Sequence, residues 1–207
     1  RDGARLSTRR VMAIQNGRPI FACSASFHIE EEGFRHQIRM PNVPQPEELI
    51  SEQELAPQLA QLLNEEKRIK MLREKPIETR AVHTLDPLNP EKTAPIKHVW
   101  FKSNGSLPDD PALHKCLLAY TSDFGLLTTS LLPHGASIWQ PQMQVASLDH
   151  AIWFHEPVRM DEWLLYSTDS PWAGNSRGFS RGSIFTREGR LVASVAQEGL
   201  VRVRHDW

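Results

Sequence analysis

Between Asp109 and Gly135 the chain carries the pattern that most restricts its architecture. Leu113, Leu117, Tyr120, Phe124, Leu127 and Leu131 recur at spacings of 4, 3, 4, 3 and 4, which is the repeat of one face of an α-helix. A second stripe, Ala112, Cys116, Ala119, Asp123 and Leu126, runs beside it. A helix apolar on two adjacent stripes is expected to be largely buried. Asp109 or Asp110 supplies a cap and Pro111 suits the first turn, while His134 in the last turn and Gly135 beyond it supply a stop. Strands are predicted after it: Met143 to His155, Trp163 to Ser170, Gly178 to Thr186 and, past a turn at Glu188-Gly189, Leu191 to Val203. One long helix followed by antiparallel strands implies an α+β unit in which a sheet wraps a helix.

The remainder divides by composition. From Arg9 to Phe27, two strands flank Asn16-Gly17, the dipeptide that a tight type I′ hairpin prefers. Pro41, Pro44 and Pro46 then stiffen an extended passage, and Glu47 to Leu72 is rich in Glu, Gln, Leu and Lys, as an exposed helix would be. Strands are expected again at Ile77 to His83 and Ile96 to Lys102. The predicted divisions are therefore 1–33, 34–76 and 77–207, the middle one a connector. The two hairpins also resemble each other. Asn16-Gly17-Arg18 and Ile20 to Ser26 align with Glu188-Gly189-Arg190 and Leu191 to Gln197, with Pro19 as a single insertion. That match is read either as two generic hairpins or as a duplicated unit whose first helix lies before residue 1.

A formal net charge of −1 over 207 residues argues against a chain that coats nucleic acid or an anionic membrane. No apolar run is long enough to span a bilayer. Cys23 and Cys116 lie far apart, so a disulfide framework is not expected and a reduced cytoplasmic setting is. No CxxC or HExxH spacing predicts a metal site. The terminal residues Arg204-His205-Asp206-Trp207 carry no peroxisomal tripeptide signal.

Three polar residues sit awkwardly in apolar patterns. Asp123 lies on a helix stripe with Cys116, Ala119 and Leu126, where a buried charge requires partners; at the edge of the stripe it would reach water instead. Ser147 shares a strand face with Met143, Val145 and Asp149, as a site residue or as a small residue tucked under the sheet. Gln197 interrupts the row Leu191, Ala193, Val195, Gly199 and Val201 with an amide that must find partners. For Asp149-His150 a structural hydrogen bond to nearby backbone is the favoured reading. A Ser147–His150–Asp149 triad is weak, because adjacent strand residues point to opposite faces and no GxSxG elbow is present. Arg177 and Arg181 flank Gly178-Phe179 and are candidates for phosphate binding, or part of a solvated face.

Several blocks, in order, resemble the acyl-CoA thioesterase II family: Tyr120-Thr121-Ser122-Asp123-Phe124, Ser147-Leu148-Asp149-His150-Ala151-Ile152-Trp153-Phe154-His155, Glu162 to Tyr166, Ser176-Arg177-Gly178-Phe179 and Gln197 to Arg202. The resemblance extends to Thr8-Arg9-Arg10-Val11 and Ala25-Ser26-Phe27-His28. It implies a double hotdog: residues 1–33 as the closing strands of an N-terminally truncated first hotdog, 34–76 as the linker, and 77–207 as the second hotdog. It implies a catalytic set of an Asp on the helix, a Ser or Thr on the next strand and a Gln on the last strand, here Asp123, Ser147 and Gln197. Ser26 stands where a second Gln would be, which suggests one site per chain. The implied reaction is direct attack of water on a fatty acyl-CoA thioester, with no cofactor beyond the coenzyme A of the substrate, in a homodimer or homotetramer. The competing expectations are a non-catalytic acyl-CoA-binding hotdog, a hotdog hydratase or dehydratase, which would want a His or Glu beside Asp123 where the sequence makes none stand out, and a serine esterase.

Overall fold

The computed structural model describes residues 2–204; Arg1 and the last three residues, on which the reading of the C-terminal tripeptide rests, lie outside it. The chain divides into two compact units, one running up to Gln37 and one from Ile38 onward.

The first unit is a hairpin of β1 (Leu6–Gln15) and β2 (Arg18–His28). Asn16 and Gly17 both take positive φ, 50° and 75°, so the turn is the tight one its residues favour. Beyond it the register slips between Ala13 and Ile14, where Ile14 faces Pro19. A proline cannot donate to the ladder, so the inserted residue is absorbed as an irregularity and the pairing resumes at Phe21.

In the second unit, the Pro-rich passage leads to α1 (Glu52–Ala60) and α2 (Glu65–Leu72). Ser51 and Glu54 form a reciprocal capping box at the start of α1, and Asn64 caps α2 through the Lys67 N–H at 3.0 Å. Then come β3 (Ile77–Ala81), β4 (Ile96–Ser103), α3 (Pro111–Ser122), a 3₁₀ helix (Leu127–His134), β5 (Met143–Ser147), β6 (Ala151–Phe154), β7 (Leu164–Gly174), β8 (Arg177–Thr186) and β9 (Leu191–Val203). The strands make one antiparallel sheet in the order β3-β4-β7-β8-β9-β5, with β6 also on β9. Alternation along each strand gives the sheet two covered faces. Phe101, Leu164, Tyr166, Ile184 and Val195 pack with Leu118 and Leu126 of the helical layer. Trp100, Leu165 and Phe185 face the other way, under Met40, Val43 and Leu49 of the Pro-rich passage, where Trp100 Nε1 donates to the Pro44 carbonyl at 2.9 Å. This is the α+β arrangement, a sheet against a helical layer, anticipated from the order of elements, and it agrees with the hotdog that the resemblance implies.

Two expectations are corrected. The helix does not run unbroken from Asp109 to Gly135: α3 stops at Ser122, Gly125 turns the chain with φ 65°, and a 3₁₀ helix continues to a left-handed Gly135. Nor does its apolar stripe mark the buried side through α3, although Leu127 and Leu131 of the same stripe are buried in the 3₁₀ helix. Tyr120 is 55% exposed and Phe124 38%, whereas His114, Leu118, Thr121 and Ser122 are buried. Each of these polar side chains has a backbone partner, although His114 Nε2 finds none among the described residues. His114 Nδ1 accepts from the Met160 N–H, Thr121 Oγ1 donates to the Leu117 carbonyl and Ser122 Oγ to that of Ala119, so burying them leaves these atoms paired.

The strand expected from Met143 to His155 is likewise two strands. β5 ends with Ser147 opposite Gly199, and β6 begins with Ala151 opposite Ala196. Three residues thus face two, an outward kink of the kind that re-aims side chains at sheet edges. Asp149 Oδ1 takes over the missing rung by accepting from the Glu198 N–H at 2.8 Å, the structural bond to backbone that its sequence context favoured.

Candidate active site

Gln197 is the centre of the cluster. It lies mid-way along β9 on the face turned toward the helices and is 1% exposed. Its Nε2 lies 2.5 Å from Asp123 Oδ1, 3.1 Å from Ser147 Oγ and 3.3 Å from His150 Nδ1. The three residues singled out in sequence therefore meet at one nitrogen. An amide nitrogen carries two protons, so three acceptors compete for two N–H groups and acceptor capacity is left over. Asp123 itself is not buried. It is the C-cap residue of α3, and its side chain is 54% exposed, so the carboxylate sits at the mouth of the cluster with water access. Ser147 is exposed as well. Gln197 Oε1 and, across the ladder, Ser180 Oγ are buried without a partner among the described residues.

His150 is the member that sequence reasoning missed. Strict alternation would have turned it away from Ser147. The three-against-two kink rotates it inward, so that Ser147 Oγ and His150 Nδ1 both reach Gln197. The same kink overturns the expectation that no histidine stands near the acid: His150 Nδ1 is 3.8 Å from Asp123 Oδ1. It does not create a serine triad, because the hydroxyl hydrogen-bonded to His150 is that of Ser122, at 2.8 Å from Nε2. Burial holds the imidazole below its ordinary range, against the opposing pull of Asp123 and Asp149. A legible signal existed: an Asp-His pair interrupting a strand marks a poor ladder position for Asp.

Close packing fixes the frame around this cluster. A Cβ on Gly199 would lie 2.1 Å from Leu127 Cδ2, and one on Gly178, its partner across the ladder, 2.3 Å from Ser130 Oγ. The glycines let the 3₁₀ helix close on the sheet beside Ser147, and at Gly199 the close approach is made by Leu127 and the Ala146 carbonyl. Arg177 and Arg181 are not brought into the cluster. They alternate with the buried Gly178 and Ser180 and so project from the other face of the sheet, Arg177 toward Glu198 at 3.0 Å and Arg181 toward Asp169 at 2.5 Å.

Comparison with known proteins gives the family independently of the site. The family model described as acyl-CoA thioesterase matches residues 67–200. Acyl-CoA thioesterase 2 of Haemophilus influenzae is 41% identical over 202 residues, which cover 98% of this chain and 71% of that protein. The chain belongs to the acyl-CoA thioesterase family. Among solved structures, the acyl-CoA thioesterase II TesB2 of Mycobacterium marinum superposes with a TM-score of 0.79 at 41% identity, over 100% of this family member and 72% of that chain. A hot dog fold protein of Alicyclobacillus acidocaldarius reaches a TM-score of 0.74 at 15% identity, over 99% of this chain and 70% of that one, and shows the fold alone. The present chain thus spans about seven-tenths of the length of each of these proteins.

Proposed function

We propose that the chain carries the hydrolytic site of a fatty acyl-CoA thioesterase, with water as the nucleophile and Asp123, Ser147 and Gln197 as the residues that hold and activate it. The observation that supports this best is the meeting of Asp123 Oδ1 and Ser147 Oγ at Gln197 Nε2. A water entering there finds a carboxylate to take its proton and a hydroxyl to orient it. Its oxygen then attacks the thioester carbonyl, the carbon–sulfur bond breaks, and the proton passes by way of Asp123 to the departing thiolate. Positioned base catalysis of this kind contributes about 10²- to 10⁴-fold, and orientation of the water adds to it. The exposed side chains beside the site residues, Phe124 and Leu148, offer apolar surface to the acyl chain, each covered methylene contributing about 0.8 kcal/mol. Coenzyme A enters as part of the substrate, and no other cofactor takes part.

The relatives' names supply the substrate class. Their greater length makes the whole enzyme's range a matter for experiment. The same reading includes the division into a closing hairpin (1–33), a linker (34–76) and a catalytic hotdog (77–207), association into homodimers or homotetramers, and a reduced cytoplasmic setting consistent with two free cysteines. Phosphate contacts at Arg177 and Arg181 belong to it too, and would require phosphate to displace Glu198 and Asp169. Among the described residues no helix is long and apolar enough to cross a membrane.

The decisive measurement is thiol release from a chain-length series of acyl-CoAs by the wild-type chain and by Asp123→Asn. The variant, which keeps the shape and loses the base, is expected to fall by at least about 10²-fold with an unchanged circular dichroism spectrum. Turnover near the wild-type rate would remove Asp123 from the mechanism. His150 beside Asp123 favours one rival, a hydratase on this fold. Hydration of an enoyl-CoA without thiol release would establish that rival instead.

A further inference from the structure

Ser122 Oγ has one proton, and it is given to the Ala119 carbonyl at 2.8 Å. The hydroxyl therefore meets His150 Nε2, also at 2.8 Å, as an acceptor. Ser122 cannot turn away readily. It is fully buried, and its own carbonyl accepts from the buried Tyr166 hydroxyl at 2.6 Å. A neutral imidazole has one N–H, and here it is committed at Nε2, which leaves a bare lone pair on Nδ1. That lone pair lies 3.3 Å from Gln197 Nε2. The Gln197 amide, in turn, has its oxygen on a side where it finds no partner among the described residues. What fixes its orientation is therefore the set of acceptors on the nitrogen side.

We infer that His150 is a positioning residue of this site: held by Ser122 as its Nε2–H tautomer, it uses Nδ1 to accept from the Gln197 amide and keeps the amide protons turned toward Asp123 and Ser147. The inference rests on the proposed hydrolytic reading for its kinetic consequence, but not for the tautomer. It implies a proton-sensitive site. Once Nδ1 is protonated it becomes a donor facing an N–H pair, and the imidazolium is drawn to Asp123 Oδ1, 3.8 Å away. Gln197 then loses an acceptor and competes with a cation for its carboxylate. The charged groups around the ring are few. Asp123 approaches from the end of α3 and Asp149 from the ring's own turn, where it is engaged by the Glu198 N–H. Gln197 from β9 and Ser122 from α3 are neutral, and the Tyr166 hydroxyl of β7 reaches only the Ser122 carbonyl. Glu198 alternates with Gln197 and is paired with Arg177 on the opposite face. Burial outweighs the two aspartates and favours the neutral ring, lowering its protonation from the ordinary 6.5.

The test is a set of kcat–pH profiles with the wild-type chain, His150→Ala, His150→Asn and Ser122→Ala, together with ¹⁵N chemical shifts of the labelled histidine. In the wild type, kcat is expected to fall on acidification with a midpoint below 6.5, with KM nearly constant. His150→Ala should lower kcat about tenfold at neutral pH, the loss expected for one positioning hydrogen bond. His150→Asn places an acceptor that does not titrate where Nδ1 stood, and should recover most of that loss while moving the acidic fall to lower pH. Ser122→Ala frees the tautomer and should shift the fall. The ¹⁵N shifts should report Nε2–H in the wild type and need no catalytic activity to be read. A resonance pattern of the Nδ1–H tautomer overturns the inference, as does an acidic fall that keeps its wild-type midpoint in His150→Asn, or a wild-type kcat in His150→Ala. Absence of thiol release from the wild type would refute the hydrolytic reading alone, and the spectrum would still decide the role of His150.

Discussion

Gln197 shows how much one buried side chain can constrain a site. At 1% exposure it must keep its amide protons on Asp123, Ser147 and His150, and an isosteric carboxylate there would face Asp123 with no proton to offer. Like charges so close do not both ionise. Gln197→Glu is therefore expected to lose about 10²-fold or more in thiol release and about 1–3 kcal/mol of stability, measured by urea unfolding at neutral pH. Unchanged turnover would show that the amide protons are dispensable. Lys97 makes a second prediction at this scale, for the turn that follows Asp123. Its Nζ donates to the Gly125 carbonyl and to Thr128 Oγ1, and burial pushes the ammonium down to about 8 from 10.5. A neutral amine still has protons for both acceptors. Because the unfolded chain holds this proton up to a higher pH than the folded one, stability should rise as pH climbs from about 8 toward 10.5. Lys97→Met should lack that rise, so that the difference between the two proteins' pH–stability curves displays it. A rise of equal size in the variant would assign it to other groups.

At the scale of elements, the site exists because two regular patterns are interrupted. α3 ends at Ser122, which leaves Asp123 at a helix terminus, and the β5–β6 break sets Ser147 and His150 on the same amide. Neither interruption could be seen in hydrophobic periodicity. The stripe from Leu113 to Leu131 keeps its spacing straight through Gly125, and alternation from Met143 to Trp153 keeps its parity across a kink whose extra residue is polar. Burial of His114, Thr121 and Ser122 was equally hidden, because each is paired with a backbone group that the sequence does not reveal. What the sequence did expose was misfit: Asp123, Ser147 and Gln197 stood out because their surroundings were apolar, and the structure brings those same three together. The closure of the 3₁₀ helix on β9 is testable through Gly199. Gly199→Ala would press a methyl into Leu127 and the Ala146 carbonyl, and overpacking of that kind costs about 1–3 kcal/mol. A lower urea midpoint with an unchanged m-value is expected, and a wild-type midpoint would mean that Leu127 gives way freely.

Over the whole molecule, burial is unevenly shared. The second unit encloses Trp100, Phe101, Leu118, Leu165, Ile184 and Phe185 almost completely, and its central strands β8 and β9 are paired on both sides. The first unit is a two-stranded hairpin in which Val11, Met12, Ile14, Ile20, Phe21 and Phe27 are each at least half exposed. Two strands without a packed layer are marginal in water, and exposed apolar side chains in such number mark a surface that gains by being covered. The Asn-Gly turn made the hairpin legible in sequence, because turn chemistry is local. Which surface covers it was not, because that is not a local property. If the proposed homo-oligomer uses this hairpin, its amide protection must depend on protein concentration, while that of β8 and β9 does not. Hydrogen exchange followed by mass spectrometry over a dilution series is expected to show amides of residues 6–28 slowing as concentration rises, against constant, slow exchange for residues 177–203. Replacing Phe21 and Phe27 with Ser should hold the hairpin at its dilute-limit rate at every concentration. A hairpin rate independent of concentration in the wild type would exclude these strands from the self-association surface.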